Sequence, residues 1–296
     1  PGTRTNEMDF ARMSEARLPI RRNPAFSFRA ILAGVFALAI TGLAGCSSND
    51  DELPYEERPV EQIYNKAMDH MAAGEYIPAT KEFDEVERQH PYSEWARRSM
   101  LMGAYANYKV NQYDEAILSA QRFISLHPSN KDVPYAYYLV GLCYYEQISD
   151  VGRDQKMTEN ALNSFYELTR RFPNSEYARD ARLKIDLTLD HLAGKEMEIG
   201  RYYLNRHDYI AAINRFRTVI ERYQTTTHTP EALERLTEAY LSLGIKTEAQ
   251  TAAAILGYNF PGSEWYEDSY ALLAEQGLEP QENKDSWISR AWNSVF

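Results

Sequence analysis

The chain has 296 residues, 44% hydrophobic and 25% charged, with 43 acidic against 32 basic side chains, a net charge of −11, two cysteines, and 22 tyrosines against 11 phenylalanines. Two cysteines can neither staple a small secreted scaffold nor complete a four-ligand zinc site, and this acidic balance disfavours a nucleic-acid binder. No Gly-rich phosphate loop is present, which disfavours nucleotide chemistry, and a chain low in glycine and rich in tyrosine leans toward helices.

The first segment reads as an export signal. Arg17, Arg21, Arg22 and Arg29 precede an apolar run of eleven residues, Ala30 to Ile40, well short of the roughly 20 that a spanning helix needs. The run ends in Leu43-Ala44-Gly45-Cys46, which resembles a bacterial lipobox. That resemblance implies a diacylglyceryl group on the Cys46 sulfur, cleavage before it, and removal of residues 1–45. Two or more acyl chains anchor a protein stably where one is marginal. Ser47 follows where an acid would retain the protein at the inner membrane, so the expected address is the periplasmic face of the outer membrane. A weak transmembrane anchor with an incidental cysteine is the alternative. Met8 or Met13 is the expected translational start. Residues 1–45 carry six basic and three acidic side chains, so the remainder carries −14. Residues 46–59 are polar and acidic and read as a flexible tether.

Beyond the tether a short phrase recurs: Gly74-Glu75-Tyr76-x-x-Ala79, Asn111-Gln112-Tyr113-x-x-Ala116, His207-Asp208-Tyr209-x-x-Ala212 and Gly244-Ile245-Lys246-x-x-Ala249, with a weaker copy ending at Ala161. Twelve residues after four of these five alanines stands a proline, Pro91, Pro128, Pro173 or Pro261; the copy at Ala212 has Gln224 instead. Twelve residues before them lie Ala67, Ala104, Gly200 and Thr237. Small residues let two helices approach, the Gly/Asn/His phrase makes the turn, and proline ends the second helix. Three copies share an exit phrase, Pro91-Tyr-Ser93-Glu94-Trp95, Pro173-Asn-Ser175-Glu176-Tyr177 and Pro261-Gly-Ser263-Glu264-Trp265, in which serine is a natural helix N-cap. The pattern resembles the tetratricopeptide repeat, a helix-turn-helix unit whose copies stack into a solenoid.

The expected fold is therefore all-α, a tetratricopeptide solenoid of about five repeats. The alanines are spaced by 37, 45, 51 and 37 residues. The longer third interval predicts a long connecting helix between repeats 3 and 4, broken near Gly194, and the second predicts a polar loop at Ile148–Gln155 inside repeat 3. The resulting layout is repeats 1–3 over 60–175, repeats 4–5 over 176–277, and a tail over 278–296. In the tail, Trp287, Ile288, Ala291, Trp292, Val295 and Phe296 form an amphipathic stripe, expected to cap the solenoid's end.

Lipobox, acidic tether and irregular repeats together resemble the BamD family, the ComL-type lipoproteins of outer-membrane protein assembly. The phrases that carry the likeness are Pro59-Val60-x-x-Ile63-Tyr64-Asn65-Lys66-Ala67, Arg122-Phe123-Ile124-x-Leu126-x-Pro128, Tyr137-Tyr138-Leu139-x-Gly141-Leu142 and Arg171-Phe172-Pro173-Asn174-Ser175-x-Tyr177. The resemblance implies a non-enzymatic subunit without cofactor or metal. It would bind the periplasmic domains of BamA through its C-terminal repeats and unfolded outer-membrane β-barrel proteins through its N-terminal ones, with other assembly-machinery lipoproteins as further partners. It would attach to outer-membrane lipid through Cys46 and bind no nucleic acid. Asn214 and Arg215 match an Asn-Arg pair that the family links to the BamA interface.

In such solenoids the first helix of each repeat lines the concave groove. Projecting that frame places Tyr64, Arg98, Tyr105, Tyr108, Lys109, Tyr135, Tyr138 and Tyr145 there as a candidate substrate groove. Rings and cations suit a barrel strand that ends in an aromatic residue and a free carboxylate; packing within the repeats is the alternative use of each tyrosine. The six histidines are scattered without a metal or catalytic pattern, and His90 and His127, each just before a repeat-closing proline, read as architectural. Cys143 reads as a small buried hydrophobe. The competing functions are another periplasmic tetratricopeptide lipoprotein, either a secretin pilotin or a cell-wall or division coordinator, and a cell-wall enzyme, for which no catalytic constellation is present.

Overall fold

A computed structural model describes residues 57–294; the export signal, Cys46 and most of the tether lie outside the described residues. Among the described residues all regular structure is helical. Five helix pairs run α1 (Val60–Ala72) and α2 (Tyr76–Gln89), α3 (Glu94–Lys109) and α4 (Tyr113–Leu126), α5 (Val133–Tyr145) and α6 (Lys156–Arg171), α7 (Glu176–Asn205) and α8 (Tyr209–Arg222), α9 (Thr229–Ser242) and α10 (Lys246–Asn259). Then come α11 (Glu264–Glu275) and α12 (Trp287–Trp292). Each of α1–α10 packs on its chain neighbours, and α1, α3, α5 and α7 also touch in succession. This is the tetratricopeptide solenoid that the spacing predicts.

The recurring phrase works through the backbone. Gly74, Asn111, His207 and Gly244 all adopt positive φ, between 61° and 76°. Each sits just past a helix end, and the next residue's N–H reaches back to a carbonyl five residues earlier, as from Glu75 to His70 (2.8 Å) and from Gln112 to Asn107 (2.9 Å). This turn satisfies carbonyls the helix would leave open and needs a left-handed residue, which is why the phrase carries Gly, Asn or His here. At the exits, Ser93, Ser175 and Ser263 accept from the N–H groups of Ala96, Ala178 and Tyr266 at 3.0, 3.1 and 3.3 Å. His90 donates from Nε2 to the Arg58 carbonyl (2.9 Å), and His127 lies edge-on to Phe123.

The small residues admit large ones. A β-carbon added at Gly200 would fall 2.3 Å from a Phe216 ring carbon, and one at Gly141 would fall 2.5 Å from Phe165. Gly141 was not picked out as a repeat position by the sequence spacing. It stands twenty residues before Ala161 rather than twelve, because the eight additional residues lie between the two helices of repeat 3. They form the polar loop after α5, which folds against α7: the Gly152 carbonyl accepts from Lys195 Nζ at 2.9 Å.

Helix α7 is the first helix of repeat 4, extended by four turns at its N-terminal end. Its early part contributes Ala181 and Ile185 to the core around Phe165 and Leu168. Its later part contributes Ala193, Met197 and Leu204 to the core around Phe216. The expected break at Gly194 is absent: α7 runs unbroken for 30 residues. Gly194 instead provides a close approach, with Val151 and His228 3.7 and 3.2 Å from where its β-carbon would be.

The tail also departs from expectation. It is α11, whose Leu273 is buried in the C-terminal core, that packs beside α9 and α10, whereas α12 turns back onto α8 and α10. Ile288 and Trp292 are buried there, Trp287 Nε1 donates to Tyr240 Oη (2.8 Å), and Gln224 Nε2 donates to the Ala291 carbonyl (2.7 Å). Gln224, the residue that replaces the repeat-closing proline, thus holds the tail. A proline at 224 could not make that bond.

Candidate interaction site

The first-helix faces of the N-terminal half converge on a cavity of about 650 Å³. Tyr64 from α1, Arg98 and Tyr105 from α3, and Tyr135 from α5 line it, as the helical frame predicts, together with Leu101 of α3. Successive turns of α3 present 98, 101 and 105 to one side because these positions are spaced close to the helical period. Tyr64 is fixed edge-on to Phe83 and tilted against Trp95, with ring centroids 5.8 and 4.8 Å away. Tyr135 leans on Tyr177 at 5.3 Å.

The structure adds Glu94, Arg97, Met102, Phe123, Asn130, Lys131, Asp132 and Tyr177 to the lining, so three cations and two carboxylates face the cavity. Lys131 and Asp132 come from the loop before α5 and Tyr177 from the first turn of α7, so a projection along first helices alone misses them. The exit phrase Ser175-Glu176-Tyr177 held the available signal: its aromatic opens the next first helix.

Four foreseen residues stand elsewhere. Tyr108 packs between Tyr105 and Tyr113 and donates to Glu146 Oε1 at 3.2 Å. Lys109 lies over the Tyr76 ring, 5.9 Å from its centroid. Tyr138 donates to the Asp180 carboxylate of α7. Tyr145 packs edge-on to Phe165 with Lys184 Nζ 4.7 Å above its ring. These last two rings brace α5 against α6 and α7, so for them packing is the observed use.

Electrostatically the cavity is distinct from the acidic whole. Arg97 pairs with Glu94 at 3.0 Å, whereas among the described residues no carboxylate lies within ion-pair distance of Arg98 or Lys131. The Arg98 guanidinium sits 5.5 Å from the centroid of the Trp95 ring. Burial, and then the neighbouring Tyr105 and Tyr177 phenols, push the Tyr135 hydroxyl well above its ordinary value; burial does the same for Tyr64, opposed by the Arg98 charge. Both phenols therefore stay neutral hydrogen-bond donors at any physiological pH. Rings, neutral O–H donors and two unpaired cations can together hold an aromatic group beside an anion.

In the C-terminal half, Asn214 is exposed on α8. Arg215 spans to Glu196 of α7 at 3.1 Å, so its carboxylate partner lies within the chain. Cys143 is fully buried and burial raises its thiol to about 12. Among the described residues no cluster of three or more His, Cys, Asp or Glu could hold a metal, and no helix is long and apolar enough to cross a membrane.

A helix-turn-helix solenoid with an aromatic, cation-bearing cavity belongs to the class of protein-interaction scaffolds. The family model described as YfiO, outer membrane lipoprotein, matches residues 56–255. An outer membrane protein assembly factor BamD of Caulobacter vibrioides is 55% identical over 257 residues, covering 87% of this chain and 83% of the relative. The BamD of Rickettsia prowazekii is 46% identical over 80% of this chain and 95% of its own length, and that of Neisseria meningitidis serogroup A is 36% identical over 77% and 88%. The chain belongs to this BamD family of outer-membrane lipoproteins. Among solved structures, a tetratricopeptide protein of Thermus thermophilus aligns over 73% of this chain at 18% identity and a TM-score of 0.35, which adds nothing to the helix geometry above.

Proposed function

We propose that the chain is a lipid-anchored subunit of the machinery that assembles β-barrels in the outer membrane, and that it receives unfolded barrels in the α1–α3–α5 cavity. The observation that carries the reading is the cluster of Tyr64, Tyr105 and Tyr135 beside Arg98 and Lys131, two cations without a carboxylate partner among the described residues, in a chain of net charge −11. A barrel's last strand ends in an aromatic side chain and a free carboxylate. The ring would lie among Tyr64, Tyr105 and Tyr135, and the carboxylate would take Arg98, whose planar fork grips two oxygens at once. In this reading the C-terminal repeats dock on BamA around Asn214 and Arg215 and neighbour other assembly lipoproteins. Cys46 carries the acyl chains, on the periplasmic face of the outer membrane.

The cavity is tested by fluorescence anisotropy with a peptide ending in phenylalanine, as free acid and as amide. A charged hydrogen bond contributes about 1.5–3 kcal/mol, so Arg98→Ala should weaken the free acid about tenfold to a hundredfold. Amidation should weaken binding to the wild type similarly and add little in the variant. Equal affinities for all four pairs would sink the assignment. The wider role is tested by mild-detergent recovery of a tagged chain from membranes. A large barrel protein should co-purify; a secretin or peptidoglycan enzymes in its place would support the competing lipoprotein functions.

A further inference from the structure

On the face formed by α2 and α4, separated from the candidate site by α3 and sharing Arg97 with it, a cavity of about 550 Å³ opens beside the α2–α3 turn. Its rim carries Pro91, Tyr92 and Leu126, and Tyr92 and Leu126 are 98% and 60% exposed. Both border the same cavity, so the two exposed side chains form one small apolar patch with a charged floor, the kind of surface that meets a membrane or a partner. Ions of both signs lie behind them: Arg122 pairs with Glu87 at 2.5 Å, and Arg97 reaches the cavity from α3.

The chain entering the fold is fastened at the same place. The Arg58 N–H donates to Gln89 Oε1 and the Arg58 carbonyl accepts from His90 Nε2, both at 2.9 Å, while its guanidinium pairs with Glu82 at 3.3 Å. Position 58 is therefore fixed two residues from Tyr92 along α2's exit. Cys46 is eleven residues before Glu57. Such a stretch can span at most about 36–40 Å. If Cys46 carries the acyl anchor, this edge is the part of the body that the tether keeps closest to lipid.

We propose that the rim of Pro91, Tyr92 and Leu126 rests on the phospholipid surface that holds the Cys46 acyl chains, so that the first repeats stand on the membrane instead of swinging from it. Tyrosine suits the headgroup level, where its ring is shielded and its hydroxyl stays wet. A cavity carrying both signs suits a zwitterionic headgroup with its phosphate and ammonium. The proposal rests on the acylation reading of Cys46.

The test uses the acylated mature chain in vesicles of phosphatidylethanolamine and phosphatidylglycerol, with an environment-sensitive fluorophore placed by Tyr92→Cys. Cys143 is buried and Cys46 would be blocked, so labelling is selective. Tyr258→Cys, at an 87% exposed site on α10, serves as the control. The label at 92 should lose fluorescence to nitroxide-headgroup lipid and shift to the blue, while the label at 258 does neither. A chain that floats with the vesicles but shows identical, water-like labels overturns the docking alone. A chain that does not float overturns the anchor and, with it, the docking.

Discussion

Replacing Gly200 with alanine isolates the contact on which the repeat architecture depends. Two effects oppose each other. In a helix interior alanine is favoured over glycine by about 0.8–1 kcal/mol. The new methyl, however, would lie 2.3, 2.8 and 2.8 Å from three carbons of the Phe216 ring, and that ring is wholly buried. Overpacking costs about 1–3 kcal/mol, and three contacts below 3 Å put this site in the upper part of that range, about 2–3 kcal/mol, so the net expected loss is about 1–2 kcal/mol. For a body of this size that lowers the thermal midpoint by about 2–8 °C. Gly103 provides the matched case: its added β-carbon would meet Phe83 at an ordinary 3.6 Å, so Gly103→Ala should keep the helical gain of up to about 1 kcal/mol. Circular dichroism melts at 222 nm report both variants. Phe216→Leu should be cheaper in the Gly200→Ala background than alone, with a coupling of about 1 kcal/mol or more. A Gly200→Ala midpoint at or above wild type, or strict additivity with Phe216→Leu, would refute the reasoning.

Other outcomes follow from the C-terminal half. Gln224→Ala removes the bond to the Ala291 carbonyl and should cost about 1–2 kcal/mol, seen as faster amide exchange across α12 with α1–α4 unchanged; unaltered protection in α12 would contradict it. Glu234 is buried on α9, and burial raises its carboxyl to about 7 against the pull of Arg235. In the unfolded chain it ionises near the ordinary value, so between those two values the folded state binds more protons, and this group's contribution to stability falls as pH rises. The fall amounts to about 3 kcal/mol between pH 4.5 and 8. Glu234→Gln should flatten that slope in urea titrations across the range, and an unchanged slope would remove the assignment.

How much of this could be read from the sequence differs by feature. The turn phrase, small positions and serine caps are local requirements of backbone geometry, so they recur in sequence and can be counted. Gly141 escaped because the eight-residue insertion moved it out of step with Ala161. The tail's amphipathic stripe was legible but its destination was not, since Gln224 reads only as a missing proline until Ala291 lies against it. In the cavity, Tyr64, Arg98, Tyr105 and Tyr135 share a helical frame and were found by it. Lys131 and Tyr177 enter from a loop and a helix start, to which no period applies, and Tyr138 and Tyr145 turn away because α6 and α7 provide them with closer partners.

Helix α7 has a mechanical consequence. Its 30 residues make a rod about 45 Å long. One end contributes Tyr177 to the cavity wall and Asp180 to Tyr138, and the other is bolted to Phe216 and, through Arg201, to Glu231 at 2.9 Å. A helix without a break cannot absorb a push by bending at a joint. The separation between the cavity wall and the Phe216 core is therefore set by one continuous backbone, about 1.5 Å per residue, rather than by packing across a loop.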